Sequence, residues 1–431
     1  MVKYQKYKEI NLPWLKIIPA NWDIKRNKQF LHERKKIVGN KSSEYTLLSL
    51  TLRGIVVRDL SENKGKIPAS FDNYKIVEPG DIAFCLFDID ETPRTVGLSK
   101  YKGMLTGAYN IFHIEGINAR YLYYYYLALD NIKGLRPLYT GLRKTINVNT
   151  FLSQQMPVPP RDEQDQIVRF LDWKVSEINK KISLKRQSLD LLKELVNSAF
   201  ATLISSAFEK VRLKRVASLE SDYIEINPDD YYKKAGMYNR GRGIFLRDPI
   251  KGTEMGDSKF QRIHSDRLMI SGQFAWEDAV FVTSPKDEEG VASHRYYLLK
   301  SINHDVPVEF LFGYFLSQKG FSDLKQCSHG SAGRNRPLNI NELLRIEVPI
   351  VHDHEAVSKL CNLVQAYMAM RPIVLHEEAI LGELRNRIIS DVVTGKIDVR
   401  NVTVPEYEHV DDIVDDDSEN NEETETDGEE A

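Results

Sequence analysis

Arginine and lysine beside glycine are the residues of this chain whose types and spacing could do chemistry on a ligand. Arg53 and Arg58 flank Gly54. Arg143 and Lys144 follow Gly141. Arg240, Arg242 and Arg247 surround Gly241 and Gly243, and Arg334 and Arg336 follow Gly333. Glycine lets backbone approach a phosphate closely, and a guanidinium can bond two acceptors of one guanine edge at once. For any one of these residues a solvated turn charge is the plain alternative. As a set, at matched places in two halves of the chain, they point to a polyanion. Arg94 and Lys100 complete the candidate set.

Residues for covalent chemistry are harder to find. A methyltransferase acting on a flipped base would need Asn/Asp-Pro-Pro-aromatic, and the nearest string is Asn227-Pro228-Asp229-Asp230, which lacks the second proline and the ring. No glycine-rich cofactor loop follows a strand, and there is no Gly-x-x-x-x-Gly-Lys-Ser/Thr phosphate loop. Pro228-Asp229 with Asp257-Ser258-Lys259 can be forced into a nuclease pattern, but so short a pattern arises by chance. His352-Asp353-His354 with Cys361 and His376 has irregular spacing and reads as a surface cluster, not a metal site. Cys85, Cys327 and Cys361 lie too far apart for a disulfide framework or a Cys-x-x-Cys zinc site. The residues offer binding and no catalytic constellation.

What must position the basic turns is a folded chain of 431 residues, 42% hydrophobic and 28% charged. That supports several real cores. No apolar run is long enough for a spanning helix, and the N-terminal MVKYQKYKEI lacks a signal-peptide core, so a cytoplasmic location is expected. The net charge of -3 hides an uneven distribution. Residues 1–160 hold 24 basic and 14 acidic side chains, and residues 208–350 hold 21 and 20. From Glu406 to the end there are 14 acidic residues and no Lys or Arg, the composition of a disordered tail over 400–431. A basic excess of that size in the first domain suits a polyanion partner.

The chain also repeats itself at long range. Trp22–Arg26 matches Phe208–Arg212, Gly54–Arg58 matches Gly243–Arg247, and Gly80–Phe84 matches Gly272–Trp276. Tyr121–Tyr126 matches Phe310–Phe315, Asn147–Asn149 matches Asn339–Asn341, and Met156–Gln164 matches Val348–Ala356. The order is kept throughout, which argues for a tandem duplication. Each copy is followed by a long helix. Between Arg161 and Ile204 there is no Pro or Gly, and Leu171, Val175, Ile178, Ile182, Leu189, Leu192 and Val196 follow each other at coiled-coil spacing, with Lys185 as the polar seam position. The second helix runs from about Asp353 to Thr394-Gly395, with Val357, Leu360, Val364, Ile380, Leu384 and Ile388 on its apolar face. Pro372 is expected to kink or split it.

The fold class expected is therefore α+β. Two similar mixed α/β domains, residues 1–160 and 208–350, are separated by two long helices, residues 161–207 and 351–399, that pair as an antiparallel coiled coil with pseudo-two-fold symmetry. Strands are expected at Tyr45–Leu50, Ile82–Leu86, Tyr109–Ile114, Val280–Thr283 and Tyr296–Leu299. The aromatic run Tyr121–Leu129 is expected to pack a helix into the core, with base stacking as the alternative.

These residues resemble the specificity subunit of type I restriction–modification enzymes. The strings that carry the resemblance are Ile18-Pro19-Ala20-Asn21-Trp22, the run Pro157–Val168 with its Pro-Pro-x-x-Glu-Gln start to a helix, Leu384–Ser390, and Thr394-Gly395-Lys396-Ile397. The second helix start departs from the pattern, reading Val348–Ala356 without the double proline or the Gln. The resemblance implies a non-catalytic chain in which each domain reads one half of a bipartite, asymmetric site in double-stranded DNA. The helices would set the spacer and dock two modification subunits. Adenine methylation with S-adenosylmethionine, and translocation and cleavage with ATP and Mg, would belong to partner modification and restriction subunits; this chain would carry no cofactor. Two other readings are a coiled-coil adaptor that binds only protein and a nuclease or methyltransferase with an unrecognised site.

Overall fold

The computed structural model describes residues 2–58, 70–140, 144–205, 209–239, 241–330 and 336–411. Among the expected site residues, Arg143, Arg240 and Arg334 lie outside these, as does the tail from residue 412. The chain forms two compact units, Met1–Ser183 with Ala379–Ala431, and Leu184–Glu378.

The first unit begins with β1 (Tyr7–Leu12), β2 (Leu15–Pro19), β3 (Asp23–Arg26), β4 (Leu31–Glu33), β5 (Leu48–Thr51) and β6 (Gly54–Val57). It continues with β7 (Lys75–Val77), β8 (Ile82–Phe84), β9 (Val96–Leu98), β10 (Gly103–Leu105) and β11 (Asn110–Ile114). Helices α1 (Ala119–Asn131) and α2 (Val148–Ser153) follow, then β12 (Gln155–Val158) and the long α3 (Arg161–Ser205). Its central sheet has the order β4-β11-β8-β9, all antiparallel. Side chains alternate across a strand, and here both faces are buried. Ile82, Phe84 and Phe112 face the main core with α1, while Ala83 and Ile111 face a second layer with Leu48, Ile55, Val77 and Leu105. That second layer holds the β5–β6 hairpin.

The second unit contains β13 (Glu209–Arg212), β14 (Ala217–Glu220), β15 (Tyr223–Ile224), β16 (Tyr231–Met237), β17 (Ile244–Leu246), β18 (Ile250–Lys251) and β19 (Phe260–Arg262). Then come β20 (Leu268–Ser271), β21 (Val280–Val282), β22 (Gly290–Ser293), β23 (Tyr296–Ser301), α4 (Val308–Leu316), α5 (Gln318–Gln326), α6 (Ile340–Leu343), β24 (Glu347–Ile350) and α7 (His354–Val393). Its sheet β14-β23-β20-β21 repeats the first in order and direction. The register repeats too: Phe112 faces Glu33 and Ile82, as Leu299 faces Leu219 and Leu268. Leu268, Ile270 and Leu299 face the main core, and Met269 and Leu298 face a second layer with Ala235, Ile263 and Ala292.

Five of the six sequence matches fall on equivalent elements. The sixth does not: the register aligns Ile82–Phe84 with Leu268–Ile270, and Gly272–Trp276 comes after the strand, in the 3-10 turn Ala275–Glu277. Gly80 and Gly272 both sit at sheet ends, where glycine recurs for local reasons, which made the wrong pair look alike. The five expected strands are present within a few residues. Tyr121, Tyr124, Tyr125 and Tyr126 are buried on α1, so core packing wins over base stacking. Asn147 and Asn339 cap α2 and α6, accepting the orphan backbone N–H groups of the first turn.

Segments of the long helices are also core elements within each unit. In the first unit Ile167, Val168, Phe170 and Leu171 are buried in the main core, with Val175 half-buried and Ile178, Ile182, Ile388 and Ile389 closing the seam. Asn179 accepts from Arg385 Nη1 at 3.0 Å across it. In the second unit Leu189, Leu192, Val196 and Phe200 meet Val357, Leu360, Val364 and Tyr367, and Lys185 and Arg186 bond Glu377 and Glu378. Within each unit the two helix segments run antiparallel. Two seam assignments are corrected: Ile380 and Leu384 are 49% and 43% exposed, and Leu381 points inward instead. Near a proline the apolar stripe read from sequence was phased one residue off. Pro372 does not split α7, which is one helix from His354 to Val393. The ring is on the exposed side, while Tyr367, Arg371 and Val374 pack inward.

Candidate nucleic-acid interface

The second layers carry the basic turns. In the first unit Arg53 sits exposed in the turn between β5 and β6, where its N–H donates to Thr51 Oγ1 at 3.2 Å. Gly54 follows with φ +86°, a backbone angle that favours glycine and makes so tight a turn possible. Arg58 leaves β6 with its N–H bonded to Leu47 O at 2.9 Å. In the second unit the turn between β16 and β17 is the counterpart. Gly241 and Gly243 have φ +60° and +105°. Arg242 lies between them, donates Nε to Asn239 O at 3.0 Å and stacks 5.4 Å from the Tyr238 ring centre. Arg247 is exposed beyond β17.

Tertiary structure brings some distant candidates together. Trp276, Glu277 and Asp278 form one such meeting point. Arg336 lies 5.1 Å over the Trp276 ring, Asn239 bonds Glu277, and Gly241 N–H donates to Asp278 O at 2.5 Å. Arg336 and Arg242, nearly a hundred residues apart, thus share one support. Guanidinium stacked on an aromatic face keeps its N–H edge available to a second partner.

In the first unit the matching loop is paired differently. Lys144, with φ +44°, donates to Glu91 Oε1 at 2.5 Å and Asp90 Oδ2 at 3.2 Å. These bonds, the Glu91 one first, push the ammonium up to about 12. Asp90 is held at about 2, chiefly by the Tyr139 hydroxyl at 2.5 Å. Lys144 therefore has its own counterions in Glu91 and Asp90. Lys100 is also engaged, 2.8 Å from Asp411. Arg94, unlike the exposed candidates, is turned into the unit. Its side chain is 11% exposed and bonds Asp130 and Asn131, both at 3.1 Å, locking the end of α1 to the start of β9.

Charges that sequence reading missed include a bridge present in both units with its signs exchanged. Arg34 grips Asp81 with Nε–Oδ2 at 2.7 Å and Nη2–Oδ1 at 3.1 Å. Arg267 grips Glu220 with Nε–Oε2 at 2.5 Å and Nη2–Oε1 at 3.2 Å. By sheet register, Arg34 is the counterpart of Glu220 and Asp81 of Arg267. Both pairs fork in the bidentate manner that fixes geometry as well as charge. No single-residue pattern signals them, because the residue types are opposite.

The motif strings that carry the family resemblance converge on a buried hub in the first unit. Glu163, on the first turn of α3, accepts from Tyr4 Oη at 2.5 Å, Trp22 Nε1 at 2.7 Å and Asn21 Nδ2 at 2.9 Å. Gln164 accepts from Asn118 N–H and donates to Pro159 O. Gly395, φ +71°, packs so closely that a Cβ there would collide with the Pro19 ring. Trp22 and Pro19 of the first string, Glu163 and Gln164 of the second and Gly395 of the last are thus parts of one joint. Among the described residues the second unit has no such joint: Glu355 is exposed and pairs with Lys359. That is the physical content of its departing helix start.

The other strings weighed for chemistry have local roles. Asn227–Asp230 is an Asx turn, with Asp229 N–H on Asn227 Oδ1 and Asn227 Nδ2 on Asp230 Oδ2. His352 and His354 both face Asp305, at 3.4 and 3.7 Å, on the surface. Cys85, Cys327 and Cys361 are buried thiols pushed up by burial, the unreactive direction. Among the described residues, no group of three or more His, Cys, Asp or Glu is placed to hold a metal ion, and no helix is long and apolar enough to cross a membrane.

Residues 61–188 match the family model described as the type I restriction modification DNA specificity domain, the family read from the motif strings. No curated protein matches the chain. Among solved structures, a chain from work on complex assembly and conformational transition of the type I R-M system is 12% identical, with a TM-score of 0.51 over 88% of this chain and 99% of that one. That likeness establishes a shared fold. The S subunit of a type I restriction–modification system from M. genitalium is 13% identical, with a TM-score of 0.47 over 86% and 96%. The HsdS subunit from Thermoanaerobacter tengcongensis is 13% identical, with a TM-score of 0.38 over 88% and 98%.

Proposed function

We propose that this chain is the DNA-specificity subunit of a type I restriction–modification enzyme, binding double-stranded DNA and performing no reaction of its own. The observation that carries the reading is the second sheet layer, built twice, each time bearing arginine turns, in a chain whose residues 61–188 match a DNA specificity domain. Each unit would read one half of a bipartite, asymmetric site. Arg53, Arg58, Lys100, Lys144, Arg242, Arg247 and Arg336 are the described candidates for base edges and phosphates. Phosphate contacts would supply affinity and base-edge contacts specificity. The long helices would set the unread spacer and dock two modification subunits, with restriction subunits joining the assembly in the cytoplasm. S-adenosylmethionine, ATP and Mg chemistry would belong to those partners.

Methylation mapping in cells with and without the gene tests this. Loss of adenine methylation at a single two-part asymmetric motif is the expected result. An unchanged methylation pattern in a strain holding active modification subunits would reject the proposal.

A further inference from the structure

We infer that the acidic C-terminal segment from Glu406 is an internal competitor for DNA, delivered onto the basic first unit by an ordered strap. The inference rests on the DNA-binding reading above.

The strap is built by residues 395–411. Past the Gly395 turn, Val399 is fully buried, and Val402 and Val404 pack on the main core. Gln166 of α3 donates Nε2 to the carbonyls of Val399 and Val402, at 3.0 and 2.7 Å. Further along α3, Ser176 Oγ meets His409 Nδ1 at 3.3 Å, and the buried Asn179 donates to Val410 O at 3.1 Å. From Gln166 to Asn179 is about 20 Å of helix at ~1.5 Å per residue. Side-chain amides and a hydroxyl holding the strap along α3 fix where the segment runs, whatever its own charge.

Its charges then fall on cations. Glu408 lies 3.0 Å from Lys180, and Asp411 lies 2.8 Å from Lys100, one of the candidate DNA contacts. Eleven of the fourteen acidic residues from Glu406 onward still follow Asp411, with no Lys or Arg among them. The surface they start on belongs to the part of the chain with 24 basic and 14 acidic side chains. Each exposed pair is weak and salt-screened. Tethering raises the local concentration of the whole set to roughly millimolar. Carboxylates and DNA phosphates would compete for the same cations, and the denser phosphate array would win only where contacts are numerous. Such a tail would suppress non-specific binding more than site-specific binding.

Three full-length or near-full-length proteins test this: the complete chain, a truncation after Pro405, and a chain with every Asp and Glu from 406 on replaced by Asn and Gln. Binding to a random-sequence duplex is titrated at low and high salt. The truncated and neutralised chains are expected to bind about tenfold tighter or more at low salt, with the gap closing as salt rises. If all three bind with one affinity, the inference fails and the DNA reading stands. If none binds any duplex, the DNA reading fails. Zero-length carbodiimide cross-linking without DNA is the independent arm. Links from residues beyond 411 are expected on lysines within 1–160, Lys100 included; links spread evenly over the chain would overturn the inference by themselves.

Discussion

Arg94 and Arg336 have the same side chain in opposite settings, one buried against a carboxylate and one over an aromatic ring. Arg94 neutralises a buried carboxylate, and among the described residues Asp130 without it would keep Lys133 and Thr95. Arg94→Ala is expected to cost about 2 kcal/mol of stability in urea unfolding, since breaking a buried pair leaves a charge poorly solvated. Arg336→Ala is expected to leave unfolding unchanged and to weaken DNA binding by about 1–3 kcal/mol in a gel-shift titration. Asp278 is a third case. Burial pushes its carboxyl up to about 6 despite Lys193 and Arg371 nearby, and its Oδ1 has no hydrogen-bond partner among the described residues. The folded state thus holds a proton that the unfolded chain releases near 3.8. The stability from this proton is present below about 4 and lost as pH rises through about 6. Asp278→Asn is expected to flatten that dependence, raising stability at pH 7 on the order of 2 kcal/mol. Asn tolerates its φ of +62°, so a variant as pH-sensitive as wild type would contradict this account.

At the scale of elements, the sign-exchanged bridges tie β4 to β8 in one unit and β14 to β20 in the other. Geometry is kept while charge order is free, so the exchange can be made by design. Arg34→Asp alone places a carboxylate against Asp81, which is 1% exposed, and is expected to lower the melting temperature by several degrees. Adding Asp81→Arg is expected to recover most of the loss. A double variant no better than the single one would show that the surroundings read the sign of the pair and not only its fork.

For the whole molecule, the uneven charge makes a prediction about salt. Neutralising three exposed cations on the first unit should reduce the slope of log affinity against log salt more than three on the second, by up to ~0.9 for each phosphate no longer neutralised. Equal reductions would contradict a dominant first unit. The proposed role of the helices predicts a spacer effect. Deleting seven residues from α3 and seven from α7, keeping the seam in register, is expected to shorten the preferred distance between half-sites. A preferred spacer that does not move would reject the ruler.

The local patterns of this chain were legible because their causes are local. Strand alternation at Ile82–Phe84, the Asn caps at 147 and 339, the buried aromatic helix at Tyr121–Leu129 and most of the helix seam follow from residue type and period alone. The duplication was legible as order, and misaligned at Gly272 because register is set by partner strands and not by short strings. What tertiary structure alone decided was the fate of charged groups. Arg94, Lys100, Lys144 and Arg336 look alike in sequence, and only the carboxylate or aromatic ring that folding brings from a distant segment separates a buried lock from a surface hand. A guanidinium's energy depends on its nearest few ångströms, and those are supplied by residues tens or hundreds of positions away.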